Sequence, residues 1–572
     1  MNLRREYPRP QMARNKYVNL NGEWNFKFLK IDDAVLNQKF EKKIVVPFVY
    51  EYPLSGINEV KTHYDRMVYE RYFKVSEESL NNNQLLCFNG VDYECNVFVN
   101  NIFVGSHKGG YTYFDFDIKK YLKVGENLLT IEVIDKNDPK QIRGKQTWCG
   151  PFGCWYIPTS GIFKSVWLEE FNLDAIKTIK ITPNIDNFSF EFSLETYYKV
   201  ATKAIIKVCY KGKNVKTHEL MIKDDISNFA ILLNEENIFD DKVFWSPENP
   251  NLFDIEIELY KEDILCDSVK TYSGLRKISV DKEGIITLNN KKYYQKLVLQ
   301  QGYYEGGGLT PASIDDFKND ILLMKKLGFN GARVHQKIED PYFYYFADKL
   351  GFITWLECPS AYEYSYQEIN GQLNEWMTIV EQNYNFVSIV CYVPLNESWG
   401  VSKIVNDKKM QSFASSLYFA TKSIDSTRLV STNDGWEIVM PSDIIGVHDY
   451  IKGGEDLLNK YTSYNVNTIV PQDRKLMSDG FSYSGQPILL TEFGGIAIEA
   501  EKKEGDWGYN NGAKNGEELK ARIKNMLDAI HSLNFQGYCY TQLSDVQQEI
   551  NGLCYLNRKL KFELKDDEKL FY

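Results

Sequence analysis

The sequence predicts two antiparallel β-sandwiches followed by a (β/α)8 barrel, and three observations predict it. Up to about residue 277, apolar and polar residues alternate in short runs punctuated by Asn-Gly and Gly-Gly, the period of half-buried strands. After Gly274-Leu275-Arg276 the pattern turns to continuous apolar runs separated by segments with apolar spacing of three and four, the alternation of strands and helices that builds a parallel sheet. The chain of 572 residues is also too long for a single core.

Taken in order, residues 1–170 carry alternating segments at 22–28, 69–73, 84–88, 96–99 and 127–133 without helical spacing, so they read as the first sandwich. Trp24 and Trp167 are expected in its core. Residues 171–277 continue the alternation at 177–181, 189–194, 204–210 and 253–259, which suits an immunoglobulin-like sandwich. This domain holds no cluster of carboxylates or histidines and reads as a spacer. Residues 278–572 offer eight strand candidates, at 294–299, 331–334, 352–356, 387–395, 429–432, 444–448, 487–491 and 536–541. Helical patterns fit between many of them. Residues 313–327 open on a Ser N-cap with two Asp in the first turn, and 408–423 and 517–533 show amphipathic spacing. Eight such units have the size of a (β/α)8 barrel.

Two of these strands end in the same way. The run 387–395 stops at Asn396-Glu397, and Pro487-Ile-Leu-Leu-Thr491 stops at Glu492, before Phe493-Gly494-Gly495. The carboxyl ends of parallel strands are where α/β folds bind ligands. Two glutamates facing each other there are the minimal equipment for breaking a glycosidic bond, one protonating the leaving oxygen and the other attacking the anomeric carbon or activating water. A single glutamate could merely end its strand in solvent; the repeated context favours a site. Arg333 ends the second strand, where the alternative is a salt bridge across the barrel. His335 either contacts sugar hydroxyls or is a satisfied histidine. Trp399, Asp434, Trp436 and Glu357 sit at or just past strand ends, where residues line a pocket or pack a loop.

At Asn396-Glu397 and Thr491-Glu492-Phe493-Gly494 the sequence resembles glycoside hydrolase family 2, which holds β-galactosidases, β-glucuronidases and β-mannosidases. The resemblance extends over essentially the whole chain. Residues 19–24 and 96–111, with Ser160-Gly161-Ile162-Phe163, are similar to the sugar-binding jelly roll that opens such enzymes, and 245–253 resembles a turn of their second domain. The resemblance implies Glu397 as acid/base and Glu492 as nucleophile of a retaining exo-β-glycosidase. It further implies that Arg333 and Tyr450 touch the nucleophile and that Asn396 donates to the sugar 2-hydroxyl. Its commonest activity makes a β-galactoside the first expectation and a β-glucuronide the second. The chain departs from the pattern at several points. Trp155 stands where relatives carry an Asp six residues before the Gly of the Ser-Gly-Ile loop. Val334-His335-Gln336-Lys337 replaces Ser-His-Tyr-Pro, Thr541 stands in place of a Trp, and no Asn-x-Lys follows near Asn551. An indole in place of a carboxylate should narrow the pocket and favour a sugar with fewer hydroxyls on that side, a deoxyhexose or a pentose. Trp155 should then reach the space between the two glutamates instead of the sandwich core.

Composition bounds the rest. Net charge of −11 without a Lys/Arg cluster argues against nucleic acid as a partner. The aromatic share of 14% suits strands and also sugar stacking. Residues 1–14 have no apolar run of signal-peptide length and no run spans a membrane, so a cytoplasmic protein is expected. The 10 cysteines lack ligand spacing, Cys149 and Cys154 being the closest pair; buried thiols are expected, with no metal and no cofactor. The partner expected is a carbohydrate substrate, and a homo-oligomer is compatible with the sequence.

Overall fold

The computed structural model describes residues 4–147, 150–233 and 243–572; Cys149 lies outside them. The first domain is a sandwich of a six-stranded and a four-stranded antiparallel sheet. Their facing sides bury Trp24, Phe26, Tyr69, Val97, Ile131 and Val166. Trp167 is also fully buried, on the outer side of the smaller sheet. One short helix, Glu77–Asn81, interrupts the strands where Ser76 caps Ser79 N, a local signal that alternation alone overlooks. The second domain pairs a three-stranded with a four-stranded sheet around Ile181, Phe190, Ile206, Phe253 and Ile257.

The third domain is a (β/α)8 barrel. Its strands are Gln295–Gln300 (β1), Gly331–Val334 (β2), Ile353–Glu357 (β3), Ile389–Val393 (β4), Leu429–Val430 (β5), Ile445–His448 (β6), Ile488–Gly494 (β7) and Gly537–Thr541 (β8). All pairs are parallel, in the order β5-β4-β3-β2-β1-β8-β7-β6. The helices are Ile314–Leu327 (α1), Pro341–Leu350 (α2), Tyr366–Gln382 (α3), Lys408–Ile424 (α4), Gly454–Tyr461 (α5) and Gly516–His531 (α6). The expected start of α1 is realised as a capping box between Ser313 and Asp316, and Gly328 stops it in the left-handed conformation. No helix separates β5 from β6; residues 431–444 form a loop that returns in the site below. No helix among the described residues is long and apolar enough to cross a membrane. Among the described residues nine cysteines are unbridged; Cys154 and Cys209 are half-buried, the other seven buried.

One stretch of the first domain leaves its sandwich and docks on the carboxyl-end face of the barrel. Arg143 N and Gly144 N donate to Ser360 O, Ile157 N to Gln547 Oε1, and Trp507 Nε1 to Gly153 O at 2.6 Å. Gly144 permits this approach: it has φ +64°, and a Cβ there would stand 2.2 Å from Gln336 O.

Candidate active site

β4 ends earlier than its apolar run suggests. Pro394 has no N–H to offer a ladder, so the strand stops at Val393 and Glu397 lies in the turn beyond it, whereas Glu492 lies within β7. Glu397 and Ser398 have φ of +51° and +61°. Left-handed backbone costs a side-chain-bearing residue about 1 kcal/mol or more and persists where neighbours over-determine it. Residues 433–437 supply that restraint. Glu397 N donates to Asp434 O at 2.9 Å, Ser398 N to Asn433 Oδ1 at 3.0 Å, and Ser398 Oγ to Glu437 Oε2 at 2.6 Å.

Glu492, 4% exposed, accepts from Arg333 Nη1 at 2.6 Å on Oε1 and from the Tyr450 hydroxyl on Oε2. Arg333 is fully buried. Its guanidinium also reaches Asn396 Oδ1 at 2.6 Å, Glu357 Oε2 at 2.7 Å and Asp434 Oδ2 at 3.2 Å, the last two as charge contacts without hydrogen-bond alignment. One cation thus ties the ends of β2, β3, β4, β5 and β7. Tyr450 stacks on Tyr509, ring centroids 3.4 Å apart, and donates to Glu492 in preference to Thr541 Oγ1 at 3.1 Å.

These surroundings push the two glutamates apart. Burial raises the Glu492 carboxyl, but His448 and Arg333 outweigh it and hold it down at about 2. Burial dominates at Glu397 and Glu492 adds to it, so Glu397 sits above the usual range although His448 pulls the other way. Burial also lifts Glu357 to about 7 against Arg333, and keeps His335 neutral, its pKa well below the ordinary value. His335 Nδ1 stands 2.9 Å from Glu357 Oε1 without the alignment of a hydrogen bond, and Gln336 closes on the same oxygen through N at 3.1 Å and Nε2 at 2.9 Å.

His448, at the end of β6, joins the pair. Its Nδ1 is 2.7 Å from Glu397 Oε1 and 3.5 Å from Glu492 Oε1, and its Nε2 is 3.1 Å from Asp434 Oδ2. One ligand-type atom each from Glu397, His448 and Glu492 lies within 4.8 Å of the others. Both imidazole nitrogens are already engaged in hydrogen bonds, so we assign no metal ligand here. Burial lowers the imidazole, yet Glu492, Asp434 and Glu397 together raise it to about 10.

The first domain supplies the outer wall. Trp155 is half-buried, outside the sandwich core, and stacks on Trp399 at 5.6 Å and on the exposed Phe152 at 5.2 Å. Lys145, 8% exposed, has its ammonium 5.9 Å from the centroids of Trp399 and Tyr156. Tyr156 donates to Glu549 Oε2 at 2.5 Å and accepts from Gln301 at 3.0 Å. Trp436 packs edge-on to His448 at 5.8 Å.

Comparison with known proteins accounts for this assembly. Residues 17–171 match the profile of Glycosyl hydrolases family 2, sugar binding domain, 175–276 that of Glycosyl hydrolases family 2, and 278–569 that of Glycosyl hydrolases family 2, TIM barrel domain. The chain belongs to glycosyl hydrolases family 2. A protein named "Putative beta-glucuronidase" from Formosa agariphila is 26% identical over 86% of this chain and 62% of its own length. A beta-galactosidase of Thermoanaerobacter pseudethanolicus is 27% identical over 55% of this chain and 41% of its own length, so the chain spans less than two thirds of these relatives. Among solved structures, a GH2 beta-galacturonidase from Eisenbergiella tayi aligns with TM-score 0.74 at 20% identity, covering 96% of this chain and 95% of that one. A beta-glucuronidase from Ruminococcus gnavus aligns with TM-score 0.76 at 16% identity, covering 98% of each. These likenesses carry the fold.

Within that family frame, Glu397, Glu492, Asn396, Arg333, Tyr450, His335, Asp434 and Glu357 converge on one cluster, with Trp399, Trp436 and Trp155 at its rim. Sequence reasoning missed His448, Gln336, Lys145, Tyr156, Tyr509 and Glu549. His448 had a signal: it is one of 6 histidines in the chain and closes a predicted barrel strand. Lys145 and Tyr156 had none, because nothing local ties the first domain to the barrel.

Proposed function

We propose that this chain is a retaining exo-β-glycosidase. The observation that carries the reading is the opposed pair: an oxygen of Glu397 and an oxygen of Glu492 lie within 4.8 Å, with Glu492 held ionised and Glu397 raised. That spacing suits the roughly 5–5.5 Å between the carboxyl groups of retaining enzymes better than the roughly 6.5–9.5 Å of an inverting pair. In this reading Glu492 attacks the anomeric carbon while Glu397 gives its proton to the departing glycosidic oxygen, and a glycosyl ester forms on Glu492. Glu397, now a carboxylate, takes a proton from water as that water attacks the ester and frees the sugar. Asn396 supports the assignment. Its Oδ1 is taken by Arg333 and its buried Nδ2 has no protein acceptor, which leaves a donor for a sugar hydroxyl. A non-catalytic carbohydrate binder on the same fold has no use for two desolvated carboxylates set to opposite charge states.

For the glycone, a β-galactoside remains the first choice on family frequency, and a β-glucuronide gains from Lys145. That ammonium makes no hydrogen bond or ion pair among the described residues, while Glu549 beside it is already bonded by Tyr156 and Asn551. Burial lowers the Lys145 ammonium, but Glu549, Glu492 and Glu397 outweigh it and keep it charged, so an anionic glycone would meet a cation there. The Trp155 stack on Trp399 supports the narrowed wall expected from sequence. The nine unbridged cysteines suit a reducing compartment. A panel of nitrophenyl galactoside, glucuronide, mannoside, glucoside, fucoside and arabinoside, with the anomer of the first product read by NMR, tests the proposal. Turnover with β-product is expected, and an α-product or no turnover of any β-glycoside would overturn it.

A further inference from the structure

We infer that His448 is the positioning residue of the acid/base pair, a fixed imidazolium that serves whichever of the two glutamates carries the negative charge. The inference rests on the retaining reading above.

The ring is anchored from behind. Asp434 Oδ2 meets Nε2 at 3.1 Å, and Asp434 is itself held by Ser431 Oγ at 3.0 Å and by the Arg333 guanidinium. Two glycines make room for this arrangement. A Cβ on Gly435 would stand 2.6 Å from His448 Nδ1, and one on Gly446 would stand 1.7 Å from Asp434 Oδ1. A neutral imidazole has one N–H and could satisfy only one of its two carboxylate partners; the doubly protonated ring satisfies both.

The front of the ring then sorts the oxygens of Glu397. Oε1 is 2.7 Å from Nδ1, and no protein group among the described residues bonds Oε2. Oε1 is therefore the anchored oxygen, and Oε2 is the one that trades its proton with the glycosidic oxygen.

Finally, the ring stands between the two glutamates, 2.7 Å from Glu397 and 3.5 Å from Glu492. In a double displacement one negative charge moves across that gap. Before the first step Glu492 is ionised and Glu397 protonated; after it Glu492 is an uncharged ester and Glu397 a carboxylate. A cation fixed between them keeps an ionic partner in both states without moving. The charged groups that face it are Glu397 from the β4 turn, Asp434 from the β5 loop and Glu492 from β7; Arg333 on β2 and Lys145 from the first domain lie behind these.

The test is the pH dependence of kcat/KM for His448→Asn and His448→Gln on the best aryl glycoside from the panel and on its alkyl counterpart. Loss of the cation should raise both glutamates, so the acidic and the alkaline limbs should both move up by at least half a pH unit. The rate should fall about a hundredfold, and further with the alkyl leaving group. Asp434→Asn keeps the ring but removes its anchor and should move both limbs the same way by less, a second readout where thermal unfolding shows a His448 variant misfolded. Limbs that stay in place while the rate falls would mean the ring only fills space and would overturn the inference; wild-type limbs in His448→Gln would do so too, since a neutral donor would suffice. If instead Glu492→Ala turns over the same glycosides at the parent rate, the retaining reading itself fails.

Discussion

Arg333→Lys isolates what the buried guanidinium does for Glu492. Lysine keeps one positive charge but not the planar fork that reaches Glu492, Asn396, Glu357 and Asp434 together at 2.6–3.2 Å. A single ammonium in that space settles on one or two of them, and Glu492 loses a charge-assisted hydrogen bond worth about 1.5–3 kcal/mol. At about 1.4 kcal/mol per pH unit, the Glu492 carboxyl should climb by roughly one to two units from its value of about 2. An acidic limb that lies below the working range of the parent should then enter it near pH 3 to 4. The same energy taken from the transition state gives a loss of about 10- to 150-fold in kcat/KM at neutral pH. The assay is kcat/KM on an aryl β-glycoside from pH 3 to 9, with a thermal melt to show that the variant is folded. A limb that does not move, together with a loss under threefold, would refute the claim that Arg333 sets the charge of Glu492.

Glu397→Ala should spare the first step for dinitrophenyl glycosides and cost about 10²–10⁴-fold for alkyl glycosides, which need a proton on the leaving oxygen; equal losses on both would contradict the acid role. Azide should restore turnover in that variant and give a β-glycosyl azide, whereas an α-azide would contradict retention. Asp434 is held at about 2 against its ordinary 3.8, burial opposing and Arg333 and His448 prevailing. The stability it contributes is therefore fully present above about pH 3.8 and is lost as pH falls through about 2. Urea midpoints of the parent and Asp434→Asn should differ steadily above pH 4 and converge by pH 2, and a gap that widens on acidification would be the wrong sign. Trp155→Ala removes the stacked partner of Trp399 and should cost about three- to tenfold in kcat/KM, in keeping with about 0.5–1.5 kcal/mol per aromatic pair. It should also change the order of preferred glycones, and an unchanged order would separate Trp155 from substrate choice.

The barrel was readable because most of its strands are buried apolar runs, and several carry at or just past their ends a residue type that burial disfavours. Arg333, Glu357 and Glu492 stood out on that ground, and all three prove at least 96% buried within one ion-pair network. Glu397 was found by the same reasoning for a reason that was only half right. The apolar run reaches Leu395 but the strand does not, since Pro394 ends the ladder and the glutamate rides on a left-handed turn. The motif Asn433-Asp434-Gly435-Trp436 read as pocket lining, whereas most of its work is restraint. Asn433 and Asp434 hold that turn, Gly435 admits the imidazole, and the tryptophan alone stands at the rim.

What stayed hidden has a common cause. Periodicity reports which face of an element is buried, but not which other domain buries it. Lys145, Trp155 and Tyr156 lie in an irregular stretch that belongs to neither sheet of the first sandwich, and nothing in its local pattern says that it crosses to the barrel. Yet that crossing brings an indole and an ammonium to the rim of the cluster, and so, under the proposed function, sets the electrostatics of the wall an incoming sugar would meet. The two glutamates sit on a strand and on the turn after one, where burial writes a pattern into the sequence. Under the proposed function the glycone would be read by a loop from elsewhere, positioned through contacts such as Gly144 against Gln336 that only the assembled chain makes. Two chains of this family could thus share every barrel residue named here and still differ in the sugar they accept, which is why the reaction class follows from the barrel while substrate preference must be measured against variants of the 143–157 stretch.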